Sequence, residues 1–117
     1  MARVYGIHKL ALRPGVQAAD FERFVREELN PGMQILGEQG NWVHVLKGVR
    51  GDREGRYIAL FEFESEERFN SITPSLGVFS EEFREFAAPV RHLWEKWASF
   101  TTDYTDPTFT DYVVIET

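Results

Sequence analysis

Residues 41–63 read NWVHVLKGVRGDREGRYIALFEF. Asn41 to Val49 and Arg56 to Phe63 are dense in β-branched and aromatic residues. The intervening Arg50-Gly51-Asp52-Arg53-Glu54-Gly55 is polar and bounded by glycines. That pattern predicts a β-hairpin. Side chains alternate between faces along a strand, so Tyr57, Ala59, Phe61 and Phe63 share one face, and Ile58, Leu60 and Glu62 the other. Val43 and Val45 likewise oppose Trp42, His44 and Leu46. Both faces carry large apolar groups, so both need cover.

Working outward, Arg3 to Leu12 (RVYGIHKLAL) reads as a first strand, closed by the turn signal Arg13-Pro14-Gly15. Tyr5 and Ile7 oppose Gly6, His8, Leu10 and Leu12. From Ala18 to Leu36 the apolar period changes to that of a helix, with Phe21, Phe24, Val25, Leu29 and Met33 on one stripe. Asn30-Pro31 predicts a kink, with Asn30 capping a second short piece. After the hairpin, Ser65 caps a short helix carrying Phe69 and Ile72. Thr73 to Val78 is a loop. Ser80 caps a last helix whose stripe is Phe83, Phe86, Val90, Leu93, Trp94 and Trp97, kinked at Pro89. Ser99 to Thr105 alternates as a strand would, Asp106-Pro107 breaks it, and Phe109 to Glu116 is a further strand candidate.

The order is β, α, β, β, α, β with an extra strand at the end. Right-handed crossovers then arrange a four-stranded antiparallel sheet in the order 4-1-3-2, with both long helices on one face. The chain of 117 residues fits one domain, 1–117. The second apolar face predicts a homodimer closed through the sheet faces, with the last strand reaching across. Ten Phe, four Tyr and three Trp make 15% of the chain, which demands a core, a pocket or an interface to bury them.

Several function classes drop out. The net charge of −6 disfavours nucleic acid and anionic lipid as partners. With no cysteine, thiolate metal sites, disulfides and Cys nucleophiles are excluded. No run approaches the roughly 18 apolar residues of a membrane span, and the N-terminus shows no apolar signal core, so the expected location is the cytoplasm. Phosphate loops, dinucleotide fingerprints and nucleophile elbows are missing, which argues against kinases, dehydrogenases and serine hydrolases.

Element order over nearly the whole chain resembles the dimeric α/β-barrel superfamily of ferredoxin-like α+β folds. That superfamily includes small monooxygenases of antibiotic biosynthesis, haem-degrading enzymes, polyketide cyclases and stress-responsive barrel proteins. Local likeness to the polyketide cyclase branch rests on Glu54-Gly55, Phe63-Glu64-Ser65, Gly77-Val78-Phe79, Trp94-Glu95-Lys96 and Asp103-Tyr104-Thr105. That branch carries a catalytic histidine in the loop before the last helix, and here Thr73 to Val78 contains none. The resemblance implies a dimeric α/β barrel with a cavity for a small hydrophobic or aromatic ligand. By the same analogy, Gly6, His8, Leu10 and Leu12 line a cavity between sheet and partner.

In this arrangement Phe61, Phe63, Val43 and Val45 pack on the helices, which sends Glu62, Trp42 and His44 into the cavity. The hairpin loop centres near Asp52 and Arg53, so partner residue numbers sum to about 105, and intact apolar faces require 104 or 106. The second places His44 opposite Glu62, the first makes them diagonal neighbours. His8 flanks Glu62 from the first strand. The expected pocket wall is Leu10, Trp42, Leu46, Ile58 and Leu60.

Three readings follow. His8 or His44 acts as general base on an aromatic or polyketide-like substrate, in acid/base or monooxygenase-type chemistry, with Glu62 orienting the imidazole and no cofactor required. Alternatively, His8, His44 and Glu62 hold a divalent metal as two histidines and one carboxylate. Alternatively, the protein is a non-catalytic ligand-binding or stress-related barrel in which these groups are structural and Glu62 neutralises a buried histidine or pairs with Lys9 or Arg56. His92 is read as surface, and Tyr5 and Tyr57 as core under the helices.

Overall fold

The computed structural model describes residues 2–75, 78–102 and 110–115. Strand β1 (Val4–Leu10) leads to a continuous helical stretch. It comprises α1 (Ala18–Phe24), a widened π turn (Val25–Leu29), α2 (Asn30–Met33) and a tight 3-10 segment (Gln34–Gln39). Pro31 has no N–H to offer the carbonyl four residues back, and the wider turn just before it absorbs that conflict. Asn30 is itself helical and its side chain caps nothing, contrary to the expectation from Asn30-Pro31. Gly40 ends the stretch in the left-handed conformation, φ 72°, which a side chain would strain.

Strands β2 (Asn41–Lys47) and β3 (Tyr57–Phe63) form the expected hairpin. Its neck depends on Gly48, where an added Cβ would lie 2.1 Å from the Arg53 carbonyl oxygen. Helix α3 (Glu66–Ile72) is capped by Ser65, whose Oγ accepts from the Arg68 amide at 3.1 Å. Helix α4 (Glu81–Ala87) is capped by Ser80, whose Oγ accepts from the Phe83 amide at 3.2 Å. Pro89 sits in the 3-10 turn Ala88–Val90 that joins α4 to α5 (Arg91–Phe100). No helix among the described residues is long and apolar enough to cross a membrane.

The sheet runs β2-β3-β1-β4, which is 4-1-3-2 read from the other edge, with every neighbouring pair antiparallel. One expectation about it is corrected. Ser99 and Phe100 belong to α5, and among the described residues Thr101 and Thr102 run beside the first strand's extension, with the Thr102 amide bonded to the Ala11 carbonyl at 2.9 Å. The fourth strand β4 is Thr110–Val113, which pairs Val4 with Val113 and Tyr5 with Tyr112. The piece expected as an extra strand therefore fills the sheet edge. Helix wins at Phe100 because its ring stacks on Phe24 at 5.2 Å. Gly77, Asp103-Tyr104-Thr105, Phe109 and Glu116 lie outside the described residues.

The core lies between one face of the sheet and the helices. Val4, Leu10, Tyr57, Ala59 and Phe63 meet Phe21, Phe24, Leu29, Met33 and Leu93 there. Phe21 is fully buried, with Tyr57 edge-on at 5.0 Å and Trp97 at 5.5 Å. Much of the aromatic content is thus spent inside the chain. Tyr57 Oη donates to Glu22 Oε2, which also accepts from Lys47 Nζ at 3.0 Å. This polar clasp ties α1 to the loop end of the hairpin.

The clasp sets a pH dependence. The Tyr57 hydrogen bond, then Lys47, hold the Glu22 carboxyl below its ordinary value of 4.5. A carboxyl lowered by folding stabilises fully above its unfolded value and loses that contribution as pH falls through the folded one. The difference in Tm between the parent and Glu22→Gln is expected to be largest above pH 4.5 and to shrink below it. Tyr57 moves the opposite way: burial first, then Glu22, pushes its phenol up to about 12. Its contribution is complete below 10.0 and declines as pH rises through about 12. Thermal melts of both proteins across pH check the two limbs.

Candidate functional site

The register between strands decides which side chains meet. Trp42 pairs with Glu62 and His44 with Leu60, so the hairpin adopts the 104 register. His44 and Glu62 are diagonal neighbours, with His44 Nε2 at 3.2 Å from Glu62 Oε1. The other carboxylate oxygen accepts from Arg3 Nη1, and the Arg3 guanidinium lies 5.9 Å from the centre of the Trp42 ring. Arg3, not Lys9 or Arg56, is the cation that pairs with Glu62. These four residues occupy the sheet face turned away from the helices.

His8 is not among them. It pairs with Ala59, whereas Glu62 pairs with Tyr5, so the sheet itself stands between His8 and Glu62. The expected assignment of β1 is thereby reversed: Gly6, His8 and Leu10 face the helices, and Tyr5 and Ile7 face away. Leu10 is 5% exposed in the core and lines no pocket. Tyr5 stands on the open face, while Tyr57 is core as expected. The signal that separates the two alternations is Lys9, which shares its face with Tyr5 and Ile7 and cannot be buried unpaired under the helices. A metal held jointly by His8, His44 and Glu62 is excluded by the same geometry, and no other such cluster exists among the described residues. His92 is exposed, as expected.

Of the remaining expected pocket residues, Trp42, Ile58 and Leu60 are half-buried on the open face, and Leu46 is exposed there. A half-open cavity of about 350 Å³ lies on the other side, between the helix face of the sheet and helices α4 and α5. That is within the range of small-molecule sites. Val43 and Phe61 floor it, and Phe79, Phe83, Trp94 and Trp97 wall it. His8 and Asn41 bring polarity to the sheet side, and Arg84 and Arg91 to the helix side.

Sequence reasoning placed the wall aromatics in the core stripe of the last helix and missed that the stripe leaves a gap. Helix α4 bends into α5 at Pro89, which tilts the two halves of that stripe. Asn41 was missed altogether. It is 2% exposed, and its Oδ1 has no hydrogen-bond partner among the described residues. A buried polar atom at the first position of an otherwise apolar strand is the signal that could have found it.

The tryptophans report on the two sides of the sheet. Trp94 and Trp97 line the cavity, and Trp42 does not. 4-Nitrophenol, an aromatic quencher of indole emission, is expected to quench saturably in the parent protein. In a Trp94→Phe/Trp97→Phe variant the remaining Trp42 emission should show only linear, collisional quenching, which a fluorescence titration resolves. No protein-family model matches the chain, and no curated protein matches it.

Proposed function

We propose that the chain binds a small aromatic or hydrophobic molecule in the cavity between sheet and helices, and that His8 is the acid–base group that meets it. The observation that carries this reading is that His8 lines a cavity of about 350 Å³ together with five aromatic rings, Phe61, Phe79, Phe83, Trp94 and Trp97. Flat apolar walls favour a flat apolar ligand, and an imidazole can both give and take a proton. A substrate that stabilises its own carbanion would need only such a base, with no cofactor. The Arg3–Glu62–His44 group supports a structural part on the open face, since its carboxylate is already occupied from both sides.

The open face favours a second copy of the chain as its cover. Tyr5, Ile7, Trp42, Ile58 and Leu60 are each only half-buried there, and Tyr112 and Leu46 are exposed. A sheet face of this apolar content, on a chain whose described helices lie opposite, can pack against its own copy under two-fold symmetry. This arrangement is the one that the resemblance to dimeric α/β barrels implies.

Two experiments test these readings. Addition of 2-naphthol is expected to shift the ring resonances of His8 in the NMR spectrum and to leave His44 and His92 in place. His8→Phe supplies the assignment and should lose the response. Shifts at His44 with His8 unmoved would sink the cavity reading. Sedimentation at micromolar concentration is expected to give twice the 13.6 kDa of the chain. Leu60→Glu should halve that mass while leaving the far-UV circular dichroism unchanged. A parent protein that sediments at the mass of one chain overturns the dimer.

A further inference from the structure

The ligand's charge is legible at the mouth of the cavity. Arg84 on α4 and Arg91 at the start of α5 both line it, and both are exposed. They stand seven residues apart, two helical turns, on a helix bent at Pro89. Neither guanidinium takes part in an ion pair or hydrogen bond among the described residues. Glu81, Glu82 and Glu85 share α4 with Arg84, yet none reaches either arginine. Among the described residues Arg3, Arg23, Lys47, Arg68 and Lys96 each find a carboxylate, while Arg84 and Arg91, like Lys9, Arg26, Arg50 and Arg56, do not. Two unpaired guanidiniums at the rim of an apolar cavity form a local positive field on an acidic surface.

We propose that Arg84 and Arg91 select an aromatic carboxylate, held with its ring among Phe61, Phe83 and Trp94 and its acid at the two guanidiniums. Guanidinium and carboxylate match in shape, and charge-assisted bonds of this kind are about twice as strong as neutral ones. The proposal rests on the cavity reading above and adds to it the charge of the ligand and the residues that read it.

The test compares 6-hydroxy-2-naphthoate with 2-naphthol, which has the same rings and hydroxyl but no acid, by isothermal titration calorimetry. The acid is expected to bind the parent protein at least about tenfold more tightly. In Arg84→Gln/Arg91→Gln the advantage should vanish, with 2-naphthol binding unchanged. Both side chains are exposed, so the double variant is expected to melt with the parent. Equal binding of acid and phenol to the parent overturns the arginine assignment while the cavity reading stands. An acid preference that survives in the double variant overturns it as well. Binding of neither compound overturns the cavity reading and the proposal with it.

Discussion

The antiparallel register of β3 against both its neighbours governs everything this sheet does. Pairing Tyr5 and Trp42 with Glu62 places that carboxylate on the open face, and pairing His8 with Ala59 places that imidazole under the helices. Side chains alternate strictly along a strand, so a slip of one residue would exchange the two sets entirely. Such a slip would drive Lys9 into the core and leave Leu10 and Val4 in water. The apolar cost of that exchange holds the register where it is.

Two layers of chemistry follow from this division. Beneath the helices, Phe21, Tyr57, Trp97 and Phe100 form a connected set of rings, and the Glu22–Tyr57–Lys47 clasp closes its outer end. That packing fills the half of the helix–sheet layer nearest α1. Beneath α4 and the face of α5 that carries Arg91 and Trp94 the layer is not filled, and the cavity is what remains. On the far side of the sheet, Arg3, Glu62 and His44 make an ion-pair group that is partly exposed and contributes little stability by itself. Its geometry nonetheless orders the ring of Trp42 beneath the Arg3 guanidinium.

Much of the fold was legible in the chain. The hairpin, the two serine caps and the bend at Pro89 rest on signals confined to a few neighbouring residues, and the sheet order follows from the order of elements and the handedness of their crossovers. The candidate site was legible only in part. His44, Glu62 and Trp42 were correctly brought together, because all three lie on one hairpin whose register follows from its own loop. His8 was joined to them wrongly, because both alternations of RVYGIHKLAL contain large apolar residues. Asn41, Arg84 and Arg91 escaped notice, since each looks ordinary where it stands in the chain.

The amino-acid sequence alone determined the element types and their order, since periodicity and capping act within a turn or two of chain. It also determined that both faces of the sheet carry apolar groups. Only the tertiary structure decided which face of β1 meets the helices, because that choice depends on pairing with β3 some fifty residues away. It likewise decided that Thr110–Val113 pairs with β1 at the sheet edge and that Phe100 stays helical, stacked on Phe24. The cavity belongs to the same class. It lies between α4 and α5 on one side and Val43 and Phe61 on the other, and no local pattern records a space left between distant segments.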